Sequence, residues 1–129
     1  MATVVVNTHG HCFDGAASAT LFTAFLRALR PDEKLSFQYR SCGYGPKMSQ
    51  VPVEWLTGDV NAILDFRYTE ADKLTYFFDH HRTGFGSVEE ERTAQERAPR
   101  TGRKIHFDAA YGSCARLIRD VAKREYDVS

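Results

Sequence analysis

Leu74-Thr75-Tyr76-Phe77-Phe78-Asp79-His80-His81 is the stretch on which the reading of this chain turns. Its first five residues form a short apolar, largely aromatic run of strand length. At the carboxyl end of that run stand one carboxylate and two imidazoles. Such a tripeptide is a poor way to build a core and a good way to build a metal site, because imidazole nitrogen and carboxylate oxygen are both strong ligands for divalent metals. The N-terminus repeats the arrangement. Val4-Val5-Val6 runs into Asn7-Thr8-His9-Gly10-His11-Cys12-Phe13-Asp14-Gly15, placing His and Asp just beyond a second strand. A third apolar run, Ala62-Ile63-Leu64, ends on Asp65. Four of the five histidines lie in the first two of these places, so three strand ends bearing Asp or His are expected to meet in one crevice.

The surrounding pattern alternates β and α. Thr3 to Thr8 reads as a buried strand, and 14–30 reads as a helix with Asp14 as its N-cap and an apolar stripe of Phe22, Phe25, Leu26 and Leu29. Pro31 stops that helix. Further strands are expected at 35–41, 60–65, 75–79 and 104–108, with a short helical turn at 69–73 and a loop at 43–46. Ser113 can cap a last helix whose apolar face is Cys114, Leu117, Ile118, Val121 and Ala122. The polar stretch from Gly84 to Arg103, with Glu89-Glu90-Glu91, reads as a solvated loop or exposed helix. The expected fold is therefore a three-layer α/β/α domain with a mainly parallel sheet of about five strands. In such sheets ligands bind beyond the carboxyl ends of the strands, which is where His9, Asp65 and His80 fall.

Composition sets the outer limits. At 129 residues, 43% hydrophobic and 26% charged, the chain fits one globular domain able to bury a core. Its 17 basic and 17 acidic residues balance, so nothing implies a general attraction to nucleic acid or to anionic membrane. A phosphate would have to be held by local Arg, Lys, His or metal. No signal segment or membrane-length apolar stretch is read, and three cysteines without CxxC spacing point to a reducing cytoplasm rather than a disulfide framework.

Taken together, His9-Gly10-His11-Cys12-Phe13-Asp14-Gly15, the strand ending Leu64-Asp65, and Asp79-His80-His81 resemble motifs I, II and III of the DHH phosphoesterase superfamily. The downstream Phe107-Asp108-Ala109-Ala110-Tyr111-Gly112-Ser113-Cys114 resembles a further segment of less characterised bacterial members. The likeness runs over nearly the whole chain. It implies a metal-dependent hydrolase that cleaves a phosphodiester or phosphoanhydride bond in a nucleotide, short oligonucleotide or polyphosphate. By that likeness His9, Asp14 and His80 are metal ligands and Asp65 bridges two metals. Asp79 and His81 are the catalytic pair, His81 meeting the substrate phosphate together with Arg82 and Ser113.

The implied cofactor is Mn²⁺, as two ions, with Mg²⁺ or Co²⁺ as substitutes; a site rich in carboxylate suits these better than structural zinc does. The implied partner is a phosphorylated small molecule or short oligonucleotide, with no membrane, and a homodimer is compatible with the likeness. Motif I departs from the family pattern at His11, Cys12 and Phe13, where Asp is usual, and His11 is carried as the substitute ligand. The likeness also implies a further ligand Asp and a substrate-clamping domain beyond Ser129, so the chain is expected to be a fragment or a shortened, non-catalytic binding homologue. Because neighbours along a strand point to opposite sides, His80 and His81 are expected to face different ways. His106, Asp108 and Cys114 read as structural residues, and Arg67, Lys47 and Arg82 as solvated cations within reach of a phosphate.

Overall fold

Five strands lie in the order β2-β1-β3-β4-β5, every neighbouring pair parallel. They are β1 (Ala2–His9), β2 (Leu35–Cys42), β3 (Val60–Leu64), β4 (Tyr76–Asp79) and β5 (Lys104–Phe107), joined with three helices, α1 (Phe13–Leu29), α2 (Val88–Thr101) and α3 (Cys114–Tyr126). This computed structural model describes residues 2–9, 13–42, 51–81, 84–85 and 87–128, with backbone alone at 13 and 42. His11, Cys12, Lys47, Arg82 and the 43–46 loop lie outside the described residues.

Alternation along the strands divides the core in two. Val4, Val6, Val60, Ala62, Leu64, Tyr76 and Phe78 face one side, where they pack with Phe22, Phe25 and Leu26 of α1 and with Leu117, Ile118 and Val121 of α3. Ile63 and Phe77 face the other side, packing with Val51, Leu56, Leu74, Phe85 and with Ala94 of α2. Both faces are covered, which is why the strands carry apolar runs rather than polar alternation. The expected architecture stands, with strand limits differing by one or two residues.

One local expectation is narrowed to the second of its alternatives, an exposed helix, and two others change. The 84–103 stretch contains α2, capped by Ser87, whose Oγ accepts the Glu90 N–H, and ended by Gly102 at φ 74°. Of its residues only Ala94 and Ala98 are buried, so it carries no large apolar stripe for a sequence reading to find. Residues 69–73 form no helix; a turn at 72–73 is closed by the Leu74 N–H on the Ala71 carbonyl. Asp14 lies inside the first turn of α1 and does not cap it.

The β3–β4 connection, lacking a helix, is held from across the sheet by Arg103. Its fully buried guanidinium donates to Tyr68 Oη (2.5 Å), Glu70 Oε1 (2.9 Å) and the carbonyls of Ala71 (2.6 Å) and Leu74 (3.3 Å). This is the fork geometry that distinguishes Arg from Lys. Replacing Arg103 by Met removes the side-chain donor to the Leu74 carbonyl, one of two donors to the Ala71 carbonyl, and the guanidinium's bonds to Tyr68 and Glu70. We expect Arg103→Met to lower unfolding stability by about 2–4 kcal/mol. The exposed Arg97→Met, which loses only a long ion pair to Glu70, should cost under about 0.5 kcal/mol. Urea unfolding of both variants checks the difference.

Candidate metal centre

Strand order reverses between β1 and β3, the place where open α/β sheets leave a crevice beyond their strand ends. His9 ends β1, Asp65 follows β3, and Asp79 ends β4. Gly15 lets α1 start close against β1, since a Cβ there would collide with the His9 carbonyl. Asp65 takes φ 59°, a left-handed conformation that Asp and Asn tolerate better than most residues. Its N–H still donates to the Phe78 carbonyl at 2.9 Å. The backbone thus stays paired while the carboxylate turns inward and is buried to 2% exposure.

Both histidines of the tripeptide point at that carboxylate. His80 Nδ1 lies 3.0 Å from the Tyr111 carbonyl oxygen, so Nδ1 must carry the hydrogen. His80 Nε2 then faces Asp65 Oδ1 at 3.2 Å and Asp14 Oδ2 at 3.4 Å. His81 Nδ1 lies 2.6 Å from Asp79 Oδ1, and its Nε2 is 3.8 Å from Asp65 Oδ1. The two rings sit 4.4 Å apart, centre to centre. The expectation that they face opposite ways is therefore overturned. β4 ends at Asp79, so strand alternation does not govern the next two residues. One ligand atom from each of Asp65, Asp79, His80 and His81 lies within 4.8 Å of the other three.

Asp79 is fully buried, and its Oδ2 has no hydrogen-bond partner among the described residues. A Cβ at residue 84 would come within 2.5 Å of that oxygen, so glycine there is what leaves room for it. Burial pushes the Asp79 carboxyl above its ordinary range, while His81 and the backbone N–H groups of His80 and His81 pull the other way. Asp65 is raised to about 6, first by burial and then by the Asp14 charge, against the lowering influence of His81 and His80.

Asp14 is engaged elsewhere. Its Oδ2 accepts the Cys114 N–H (2.8 Å) and its Oδ1 the Ala115 N–H (3.0 Å), so it caps α3, not α1. Ser113, expected on substrate, is the α3 N-cap: its Oγ accepts the Arg116 N–H. Ser113 does not line the crevice, whose described walls are His9, Asp65, Phe66, Arg67, Asp79, His81 and Gly84 around about 260 Å³. His9 is exposed, with its ring 6.0 Å from that of Phe66. His106 is largely buried, packed on Phe78 and hydrogen-bonded to Tyr126 Oη, away from the cluster. Asp108 shapes a turn by accepting the Ala110 N–H. Cys114 is a buried free thiol that donates to the Phe78 carbonyl.

The reading of residue types found Asp65, Asp79, His80, His81 and His9. It missed the Tyr111 carbonyl, which no side-chain pattern announces, and the space provided by Gly84. Compared with protein-family models, curated proteins and solved structures, the chain gives no match.

Asp65 has a definite pH signature. Its folded pKa, about 6, lies above its ordinary value of 3.8. The folded state therefore holds a proton that the unfolded chain releases, and this favourable contribution fades as pH rises from about 4 to about 6. Above that range the buried charge is a standing cost of roughly 2–3 kcal/mol. Asn keeps the left-handed backbone and removes the charge. Asp65→Asn should stabilise the metal-free protein at pH 8 and lose that advantage by pH 4, as thermal unfolding at the two pH values would show.

Proposed function

We propose that this protein is a metal-dependent phosphoesterase that hydrolyses a phosphodiester or phosphoanhydride bond in a nucleotide, short oligonucleotide or polyphosphate. The observation that carries the reading is the pair of imidazoles turned onto Asp65. Each has its Nδ1 hydrogen-bonded to an oxygen of the protein, which turns Nε2 toward Asp65 as the candidate ligand atom. Second partners of this kind fix the tautomer and raise the basicity of metal-binding histidines. An Nε2 turned onto a carboxylate needs a proton or a metal ion between the two, and the arrangement offers a cation that place.

The donor set fits a divalent cation. One ligand atom from each of the four side chains lies within 4.8 Å of the others, close enough for them to share a divalent ion. Asp65, His80 and His81 would hold the ion, with Asp79 orienting His81 and its buried Oδ2 in reserve. Two carboxylates with two imidazoles suit Mn²⁺, with Mg²⁺ or Co²⁺ as substitutes. Such an ion supplies Lewis acidity toward phosphoryl oxygens and toward water.

The residues of the chain do the rest. Asp79 holds the His81 ring through Nδ1, and His81, 48% exposed, is the member of the cluster that meets what enters the crevice. With Nδ1 on Asp79, its one remaining nitrogen, Nε2, serves either the ion or a phosphoryl oxygen, and not both at once. Phe66 and the buried sheet end give the Asp65 side of the crevice an apolar flank. No helix among the described residues is long and apolar enough to cross a membrane, and the buried Cys114 thiol accords with a reducing, cytoplasmic setting.

One observation favours a second reading, a binding domain that takes a single cation without catalysis. The two-ion arrangement of the resembled superfamily draws on Asp14, and here both oxygens of Asp14 hold the start of α3. Calorimetry with Mn²⁺ and hydrolysis of bis(p-nitrophenyl) phosphate separate the two. We expect Mn²⁺ binding, Mn²⁺-dependent release of p-nitrophenol, and at least a 100-fold loss of Mn²⁺ affinity in Asp65→Asn and in His80→Ala. His106→Ala should stay within about twofold. Tight Mn²⁺ binding with no hydrolysis would favour the binding domain, and equal affinities for Asp65→Asn and wild type would remove the metal centre altogether.

A further inference from the structure

We propose that Arg67 is the phosphate-anchoring residue of the crevice, a guanidinium built to grip the non-bridging oxygens of a phosphoryl group beside the acid–imidazole cluster. Three observations carry this. Arg67 is half-buried and lines the same crevice as Asp65, Asp79 and His81. It makes no ion pair with those carboxylates or with any other acid among the described residues. A guanidinium that stands at a crevice wall without a carboxylate partner is open to an anion that enters there.

The backbone that presents Arg67 is fixed on both sides. Phe66 before it is buried beside the His9 ring. Tyr68 after it is buried, takes a hydrogen bond from Arg103 through its hydroxyl, and donates its N–H to the Gly84 carbonyl at 2.7 Å. The Arg103 network that pins the helix-free β3–β4 connection thus also sets where residue 67 stands. Anchored neighbours of this kind lower the ordering cost of gripping a ligand. Among the described residues of the wall Arg67 is the permanent cation, and Arg matches phosphate with two parallel N–H donors where Lys offers a point charge. A crevice of about 260 Å³ takes a phosphoryl group with its first substituent, and leaves the remainder of a larger substrate outside.

The inference deepens the proposed phosphoesterase reading and rests on it for the identity of the anion, so the test keeps the two apart. The Mn²⁺-loaded protein is titrated with inorganic phosphate in a calorimeter, for wild type, Arg67→Gln and Arg67→Lys. We expect Mn²⁺ affinity within twofold of wild type in both variants. Phosphate binding should weaken at least tenfold in Arg67→Gln and recover in part in Arg67→Lys. In the hydrolysis assay the same variants should raise KM and leave kcat within a few fold. Phosphate binding in Arg67→Gln equal to wild type would overturn the assignment and leave the metal centre standing. Wild type that takes up Mn²⁺ but binds no phosphate would overturn it as well. If wild type takes up no Mn²⁺, the metal reading fails, and phosphate titration of the metal-free protein decides Arg67 alone: weaker binding in Arg67→Gln supports it, and equal or absent binding overturns it.

Discussion

The structure depends on a charge that is hard to keep where it is. Asp65 is almost wholly buried, stands in a left-handed backbone, and faces Asp14 and two imidazole nitrogens. Burial and the Asp14 charge oppose its ionisation, the two imidazoles favour it, and the balance leaves its pKa raised. Folds keep such arrangements where something else is gained, and titratable groups displaced from their ordinary range cluster at sites of chemistry. Each imidazole is fixed at Nδ1, by the Tyr111 carbonyl or by Asp79, and turns its Nε2 to the Asp65 carboxylate.

Much of the fold exists to hold that point. β3 and β4 are adjacent and parallel, so their carboxyl ends deliver Asp65 and the tripeptide side by side. β1, on the other flank of β3, brings His9 to the same edge. α3 matters less for what it covers than for where it starts. Its first N–H groups are tied to Asp14 on α1, and the Tyr111 carbonyl just before it holds His80. The packing of α1 on α3 and the orientation of a candidate ligand are therefore one mechanical unit. Disturbing the start of α3 should turn His80 as surely as changing a residue in the cluster.

The sequence made the sheet and the cluster legible because both rest on short-range signals. Apolar runs ending in Asp or His mark strand ends, and parallel strands bring those ends to one side. What it concealed depends on partners distant in the chain. Asp14 at a helix start looks like a cap for its own helix, yet its oxygens serve amides 100 and 101 residues away. Strand alternation set His80 against His81, and it lapsed because β4 stops one residue earlier. α2 was legible only as a solvated loop or an exposed helix, since alanine at 94 and 98 is all it buries. Arg103 looked like one more cation in a charged stretch; only the fold reveals it as the buried brace of a loop 29 to 35 residues earlier.

The diversion of Asp14 bears on how many ions such a site could hold. A carboxylate oxygen has two lone pairs, so accepting one amide hydrogen does not by itself exclude a ligand bond. Sharing has a price in basicity, because an oxygen already receiving an N–H at a helix start gives less to a cation. The ordering that follows is electrostatic. An ion between Asp65, His80 and His81 would meet a buried carboxylate not tied to a helix start and two nitrogens turned toward it. A second ion nearer Asp14 and His9 would meet a carboxylate half-satisfied by α3 and an exposed imidazole. Occupancy should therefore be unequal, the Asp65 position filling first. Any second ion would depend more on what a phosphate ligand itself contributes to the crevice.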